Sequence, residues 1–267
     1  MNLLIISDLH IGKGDNFDTF GWDEIEFISA IERIRKFMNI EKIILNGDIY
    51  ELMKFKMKEI KLAYPKIVDY FKNDYFIYLK GNHDFLNNTG DLFFKLENST
   101  GKKIHIEHGH NADFLNGTRV GRFISNLSFR LLKKITKFDP LLKIYLKIIE
   151  FDDQIHRIPR KYDSVKYLHY ALKLLEENDV VILGHTHKIE VHKTYYLNNK
   201  KKYLNCGSCS LGRFQAIVLD TETLRYETIK LNKKSKIKNF LNELEGNITL
   251  QDSLKVFQFA VNSDSQN

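Results

Sequence analysis

The sequence predicts an α/β fold, and three observations carry that prediction. Short runs rich in Leu and Ile, typical of buried strands, alternate with segments of helical periodicity over residues 1–110. Most of these apolar runs end in a group of Asp, Asn or His residues. The stretch 117–178 has helical patterns only, and strand patterns return after it. Alternation of this kind is typical of a sheet with parallel strands and helices on its faces.

Length and composition favour one large domain. The chain has 267 residues, of which 43% are hydrophobic, so it can bury a sizeable core. It contains three prolines and no stretch rich in Gly and Ser that would mark a linker. We therefore predict a single domain over residues 1–232, with a helical insertion at about 117–178 and a C-terminal extension at 233–267.

Charge and cysteine content narrow the partners and the compartment. The net charge of +7 permits an acidic partner, such as nucleic acid, a phosphorylated metabolite or an anionic membrane, and selects none of them. No apolar run reaches the length of a membrane span, and the apolar start, Met1–Ser7, is too short for a signal peptide. Cys206 and Cys209 are too few for a disulfide framework and are expected to be buried thiols. The expected location is cytoplasmic.

Strands and helices follow from the apolar patterns. In the first part of the chain we predict strands at 2–7, 40–45, 75–79 and 102–107. The helices predicted there are 20–38, 51–71 with a break near Pro65, and a short one at 91–96. The insertion is predicted to contain helices at 119–138, 141–151 and 161–177. The strands predicted after it are 179–183, 189–197, 202–206, 213–219 and 226–231.

Polar side chains with metal-ligand or acid–base chemistry follow five of the predicted strands. These side chains are Asp8, His10, Asp48, Asn82, His83, Asp84, His108, His110, His185 and His187. If the chain stays extended, residues two apart point the same way, so each D-x-H or H-x-H pair should converge. Gly81 is expected to let the chain turn, and Gly184 to leave room for a close approach. Taken singly, an Asp, Asn or Gly at a strand end is also typical of an ordinary turn.

Together these residues predict a metal site. Ligands of open α/β sheets gather at the carboxyl ends of the strands, which is where these side chains fall. The set combines carboxylate, amide and imidazole groups without thiolate, which suits Mn(II), Fe, Zn or Co. Two aspartates, one asparagine and four histidines suffice for two divalent ions if one carboxylate is shared.

The ordered motifs resemble those of the calcineurin-like metallophosphoesterase superfamily. They read Asp8-Leu9-His10, Gly47-Asp48, Gly81-Asn82-His83-Asp84, His108 and Gly184-His185-Thr186-His187. The resemblance spans Met1 to about Leu231 and implies a metallophosphoesterase domain over 1–232. The implied architecture is a four-layer α/β/β/α sandwich, and the helical insertion would form a cap.

The resemblance also implies which residues bind two divalent ions, with Mn(II) expected first and Fe, Zn or Co as alternatives. The first ion would be bound by Asp8, His10 and His187. The second would be bound by Asn82, His108 and His185. Asp48 would bridge both ions. His110 competes with His108 for its place, and would otherwise lie behind the ligands or on the substrate side.

The implied activity is hydrolysis of a phosphoester or pyrophosphate bond by a hydroxide held between the two ions. His83 and Asp84 would be the catalytic pair. Asp84 would orient His83, and His83 would stabilise the charge on the phosphoryl group or protonate the leaving group. The expected substrate is a phosphorylated small molecule or a nucleotide-diphosphate compound.

The region Gly81–Leu86, the His108–His110 turn and the insertion are similar to the UDP-2,3-diacylglucosamine pyrophosphohydrolase branch. That similarity implies a UDP-sugar-lipid substrate, with Arg119 and Arg122 as substrate contacts. It also implies peripheral contact of the basic insertion with the inner face of the membrane. His83 departs from that branch, which carries arginine there. A nuclease is the first alternative, although no basic stripe with interleaved aromatics was identified. A non-catalytic scaffold is the second, although every motif is filled.

Overall fold

The computed structural model describes residues 1–84, 90–112 and 161–231, and the helical residues 236, 237, 239, 240 and 242. The predicted substrate contacts Arg119 and Arg122 lie outside the described residues. So do the helices predicted at 119–138 and 141–151, and with them the predicted cap and its membrane contact.

The first sheet has five strands in the order β10-β9-β1-β2-β3. Its strands are β1 (Asn2–Ile6), β2 (Lys42–Asn46), β3 (Phe76–Leu79), β9 (Phe214–Asp220) and β10 (Tyr226–Leu231). β1, β2 and β3 are parallel to one another, whereas β9 runs antiparallel to β1 and β10 runs antiparallel to β9. The parallel arrangement brings the carboxyl ends of β1, β2 and β3 to one edge of the sheet.

The second sheet has five strands in the order β4-β5-β6-β8-β7. Its strands are β4 (Phe93–Glu97), β5 (Lys103–Glu107), β6 (Val180–Leu183), β7 (Ile189–Tyr196) and β8 (Asn199–Cys206). The central strands β5, β6 and β8 are parallel, and the edge strands β4 and β7 run antiparallel to them.

Asp23 and Pro65 mark where two of the helices begin. In α1 (Glu24–Phe37), the carboxylate of Asp23 accepts hydrogen bonds from the first backbone N–H groups. α2 (Met57–Ala63) and α3 (Pro65–Tyr70) are separate helices because Pro65 has no N–H and opens the second one. The predicted break near Pro65 is therefore confirmed. α4 (Lys161–Glu177) is the fourth described helix.

Three apolar clusters lie between four layers, which confirms the predicted α/β/β/α sandwich. One cluster packs α1, α2 and α3 on the first sheet, and includes Phe27, Ile31 and Leu45. The second fills the space between the two sheets, and the third packs α4 on the second sheet. Ile237 and Phe240, from the predicted C-terminal extension, are buried in the first cluster.

The short helix predicted at 91–96 is wrong. Residues 93–97 form β4, which pairs antiparallel with β5 and forms an edge of the second sheet. The side chains there alternate between more and less exposed positions, as expected of an edge strand with one face on the core. Just before β4, Asp91 forms an isolated parallel bridge to Leu79, the last residue of β3 in the first sheet.

No described helix combines the length and the apolar character that a membrane span requires.

Candidate active site

The candidate residues meet where the carboxyl ends of the parallel strands of both sheets face each other. Asp8, Asp48 and Asn82 follow β1, β2 and β3 of the first sheet. His108 and His185 follow β5 and β6 of the second sheet. The hydroxyl of Ser7 lies within hydrogen-bond distance of the Asp8 carboxylate and, at 3.0 Å, of the Gly207 carbonyl oxygen, so the ends of β1 and β8 lie against each other. The prediction that strand ends bring these side chains together agrees with this arrangement.

The backbone that presents them is not extended. Asp8, His10, Asp48, His185 and His187 all have positive φ, between 50° and 68°. The sequence analysis expected an extended backbone at each D-x-H and H-x-H pair, and this expectation was wrong. Left-handed backbone at non-glycine residues costs on the order of 1 kcal/mol each and concentrates at functional sites. Hydrogen bonds between neighbouring loops hold it, such as His10 N–H to the Asp48 carbonyl, at 3.0 Å.

Two glycines make room for the site. A Cβ at Gly81 would lie 2.1 Å from Asp48 Oδ1 and 2.3 Å from the Asp48 nitrogen. Gly81 does not have positive φ, so close approach rather than the predicted turn requires glycine there. A Cβ at Gly184 would lie 2.7 Å from Ser7 Oγ and 3.1 Å from Asp8 Oδ2, which agrees with the expected close approach.

A first group of ligand atoms comes from Asp8, His10 and His187. These atoms all lie within 4.8 Å of one another. The Nε2 atoms of His10 and His187 are 3.1 Å apart, and Asp8 Oδ1 is 3.1 Å from His187 Nε2. The other oxygen of Asp8 accepts from Ser7 and from the His185 N–H. Asp8 therefore directs one oxygen toward the two imidazoles.

A second group comes from Asp48, His108 and His185, again within 4.8 Å. The Nδ1 of His108 lies 2.8 Å from the carbonyl oxygen of Asn46, which places the Nδ1–H there. Its Nε2 faces the site and lies 3.1 Å from Asp48 Oδ2. A fixed outer hydrogen bond of this kind sets the tautomer of a metal-binding histidine.

Asp48 lies between the two groups. Its Oδ1 accepts from the backbone N–H of His83 at 2.8 Å. Its Oδ2 is 3.1 Å from His108 Nε2 and 4.0 Å from His10 Nε2, so this single oxygen faces one imidazole from each group. That position is the one a shared carboxylate requires.

Asn82 provides the test of whether a cation fits. The residue is 5% exposed, and its amide oxygen has no hydrogen-bond partner among the described residues. A buried polar oxygen without a partner is destabilising unless a cation or water satisfies it. An amide oxygen of this kind can bind a hard divalent cation, so the residues present fit a metal ion here.

The charges around the site favour ionised carboxylates. Burial alone would disfavour the charge, but His108 and His187 outweigh it and hold the pKa of Asp8 below its usual range. The pKa of Asp48 is likewise well below its usual value, since His108 and His83 outweigh burial. Both carboxylates are therefore ready to bind cations at neutral pH.

Proton release should accompany metal binding. Burial opposes the charged form of His108, but Asp48 and Asp8 outweigh it and raise its pKa to about 10. The proton must leave before Nε2 can bind a metal, so metal affinity should rise from about pH 7 to about pH 10. Calorimetric titration with Mn(II) in buffers of different ionisation enthalpy should show at least about one proton released near pH 7. Affinity independent of pH would contradict this.

Glu51 is a functional candidate that the sequence reasoning missed. It is 1% exposed, and its Oε1 lies 2.7 Å from His83 Nδ1. Its Oε2 lies 3.3 Å from His10 Nδ1 and 3.2 Å from Lys54 Nζ. Burial opposes protonation of His83, but Glu51 and Asp48 outweigh it and raise its pKa to about 9. The sequence signal that could have identified Glu51 is its position three residues after Asp48, as a carboxylate between two apolar neighbours.

The expectation that Asp84 orients His83 was wrong. Asp84 Oδ1 accepts from the Gly81 N–H at 2.7 Å, and Oδ2 accepts from the Ile49 N–H and the Tyr78 hydroxyl. These contacts fasten the β3 loop to the β2 loop. Asp84 therefore stabilises the backbone that carries Asn82 and His83. The carboxylate that contacts the His83 imidazole is Glu51, in the role predicted for Asp84.

His110 and the two cysteines are close to the site but outside its described ligand groups. His110 is buried and begins a 3₁₀ turn, His110–Ala112, with its ring centroid 5.6 Å from that of His108. Cys206 and Cys209 are buried free thiols, as expected. Burial raises the pKa of Cys206 to about 12, and its Sγ contacts Ser7 Oγ at 3.2 Å. Neither cysteine belongs to a described ligand group.

Replacing Gly81 should damage the site directly. In the Gly81→Ala variant, the methyl group would collide with both the carboxylate and the backbone of Asp48, which cannot move independently. We expect loss of bound metal and about 1–3 kcal/mol of lost stability. Gly14→Ala is the control for backbone strain without a collision: its Cβ meets nothing within 4 Å, but its φ of +76° disfavours alanine, so it should lose about 1 kcal/mol of stability and keep its bound metal. Metal analysis and thermal unfolding measure both effects, and full metal binding by Gly81→Ala would contradict the packing described.

Comparison with known proteins agrees with this site. The family described as Calcineurin-like phosphoesterase matches residues 1–189. A curated relative, the UDP-2,3-diacylglucosamine hydrolase of Blochmanniella pennsylvanica (strain BPEN), is 27% identical over 227 residues. The match covers 73% of this chain and 82% of that protein.

Solved structures include similar chains. A dimetal phosphatase from Danio rerio is 9% identical with a TM-score of 0.48, and the match covers 87% of this chain and 96% of that one. An uncharacterized protein from Streptococcus pneumoniae TIGR4, described as a predicted phosphoesterase, is 16% identical with a TM-score of 0.38, and the match covers 87% of this chain and 90% of that one. The family match spans the strands and loops that supply every candidate ligand up to His187. The chain therefore belongs to the calcineurin-like phosphoesterase family of metal-dependent phosphoester hydrolases.

Proposed function

We propose that this protein hydrolyses phosphoester or pyrophosphate bonds at a centre of two divalent ions. Asp8, His10 and His187 would hold one ion, and Asn82, His108 and His185 the other. The observation that carries the proposal is the position of Asp48 Oδ2 between His108 and His10. When bound, two such ions lower the pKa of water and neutralise phosphoryl charge.

His83 is proposed as the catalytic acid of the reaction. Its Nδ1 is engaged by Glu51 at 2.7 Å, which leaves Nε2 for the substrate. Because the raised pKa keeps the imidazole protonated near neutral pH, Nε2–H can donate a proton or a hydrogen bond to the leaving oxygen. Glu51 would hold the His83 ring in that orientation and, through its second oxygen, the ring of His10. Glu51 is thus a positioning residue for both a ligand and the acid.

Mn(II) is the ion we propose first, with Fe, Zn or Co as alternatives. The proposed ligands offer oxygen and imidazole nitrogen, and the raised pKa of Cys206 keeps the nearby thiol protonated. Such a set does not select the softer, thiolate-preferring metals. Metal analysis of the protein as purified, followed by reactivation of chelated protein with each ion, tests this order.

The substrate class we propose is a nucleotide-diphosphate compound. This class is supported by the curated relative, whose name specifies a UDP-linked acylated sugar. At 27% identity that relationship supports the class and leaves the acylated part to experiment. Contact of the basic segment 119–138 with an anionic membrane would suit an acylated substrate.

A substrate panel tests the proposed function. Chelated protein resupplied with Mn(II) would be offered a bis-aryl phosphate diester, a mono-aryl phosphate, a UDP-sugar, UDP-2,3-diacylglucosamine and single-stranded DNA. We expect Mn(II)-dependent cleavage of the UDP compounds between the two phosphates. Cleavage of DNA alone would replace the proposal with a nuclease. No cleavage of any of them, with two ions bound, would contradict a general phosphoesterase and favour a scaffold.

A further inference from the structure

The hairpin of β7 and β8 exposes an unusual apex. Tyr196 pairs with Asn199, so Leu197 and Asn198 form a two-residue loop. Both loop residues have positive φ, 48° and 63°, as such a turn requires. Asn, Asp and Gly are the residues that suit these positions, and Asn198 follows that preference. Leu197 does not.

Both the backbone conformation and the exposure of Leu197 are unfavourable for a leucine. A branched, apolar side chain is disfavoured at positive φ, and this one is also 81% exposed. Tyr195, two residues before it, is 71% exposed, and Tyr196 is exposed as well. Three consecutive exposed apolar or aromatic residues at a loop tip, one of them in a strained conformation, indicate a contact surface rather than a folding requirement.

Lysines surround this apex. Lys193 lies directly opposite Lys202 across the two strands, and Tyr195 lies opposite Lys200, so all four share one face of the hairpin. Like charges in such positions repel each other. Burial first, and then Lys200 and Lys193, lower the pKa of Lys202 to about 8. The Nζ of Lys202 donates to the carbonyl oxygen of Leu224 at 2.7 Å, so this lysine is held against its own chain and Lys193 and Lys200 are the cations that face outward. An anionic surface placed against this face would relieve the repulsion.

We propose that the β7–β8 apex, defined as residues 195–198 with Lys193 and Lys200, docks on an anionic lipid surface. Tyrosines lie at the headgroup level of membranes, where a ring and a hydroxyl meet apolar and wet regions. Leu197 would enter the acyl boundary, and the lysines would contact lipid phosphates. Tyr195 and Tyr196 would also suit stacking on bases, but Leu197, the most exposed of the three, cannot stack on a base and suits an acyl boundary, so the lipid surface is favoured over nucleic acid.

The docking geometry separates the apex from the metal centre. β8 ends at Cys206, which contacts Ser7 beside Asp8, whereas the apex lies at the other end of the strands. Each strand has eight residues, so the apex lies about 25 Å from the metal centre. A chain seated through the apex therefore holds its metal centre at most about 25 Å from the lipid surface. The docking holds the enzyme at the membrane and does not depend on the proposed substrate.

Vesicle flotation of the full chain tests the proposal, with vesicles of phosphatidylglycerol and, separately, of phosphatidylcholine. We expect binding to the first at low salt and not to the second. Leu197→Asn places a residue that suits the turn at the apex, so the hairpin should fold, yet partitioning should fall about tenfold or more. Lys200→Gln should lower it about fivefold. The control Leu62→Asn changes an equally exposed leucine, 76%, on α2 and should leave partitioning unchanged.

A reporter variant adds a positive readout. The chain has a single tryptophan, Trp22, which is buried, so Leu197→Trp in a Trp22→Phe background would report on the apex alone. Its emission should shift to shorter wavelength with phosphatidylglycerol vesicles. Equal binding by Leu197→Asn and the unmodified chain would overturn the proposal, because another surface would then bind. Binding to an oligonucleotide through Lys200, without vesicle binding, would also overturn it.

Discussion

Asp48→Asn should lose both metal ions together. The substitution keeps the size of the side chain but removes the charge of the one oxygen, Oδ2, that faces both His108 and His10. A residue that held one ion only would leave the other site filled. We expect affinity for both ions to fall more than about a hundredfold, and phosphoesterase activity with it. Metal analysis after dialysis measures the stoichiometry.

Asp179→Asn is the matched control. Asp179 is a buried carboxylate beside β6 that accepts from the Lys103 N–H at 2.9 Å and from Lys102, outside the site. Its substitution should reduce stability and leave metal content unchanged. If Asp48→Asn retains either ion at full occupancy, Asp48 does not bridge.

His83→Ala should separate catalysis from metal binding. With Glu51 on Nδ1, His83 is placed as an acid, so its removal should lower kcat about a hundredfold or more with metal content intact. His83 also lies within 4.8 Å of the ligand atoms of His10 and Asp48, so the alternative role of a ligand is real. Loss of one ion in His83→Ala would identify it as a ligand and contradict the acid.

Glu51→Gln tests the same pair through pH. Glu51 raises the pKa of His83 to about 9, so the acid is protonated below that pH and lost above it. Without the carboxylate the pKa falls, and the alkaline limb of kcat should move to lower pH. His105→Gln is the control, since His105 is a buried histidine 2.9 Å from Glu107 and outside the described ligand groups. An unmoved alkaline limb in Glu51→Gln would contradict the assignment.

The sequence predicted the meeting of the candidate ligands because strand ends of parallel sheets share an edge. Apolar runs mark β1, β2, β5 and β6, and each polar group stands directly after its run. The alternation of strands and helices likewise predicted the layers. These properties depend on local pattern and on general rules of sheet topology.

The sequence could not predict contacts that depend on loop conformation. Asp84 is adjacent to His83 in the chain, yet its carboxylate turns back to the Gly81 and Ile49 N–H groups. Glu51 reaches His83 because Tyr50 bridges to Ile11, which folds the β2 loop beside the β1 loop. The helix prediction at 91–96 was wrong because a short apolar run fits either period, and the pairing of residues 93–97 with β5 decides for a strand.

The most direct test of a two-ion centre is a Mn(II) titration of the unmodified, chelated chain, followed by electron paramagnetic resonance. A shared carboxylate oxygen couples the spins of two manganese ions. We expect two ions per chain and a spin-coupled spectrum that disappears in Asp48→Asn. One ion per chain, or two ions with the spectrum of isolated Mn(II), would contradict the bridging position of Asp48 and with it the proposed centre.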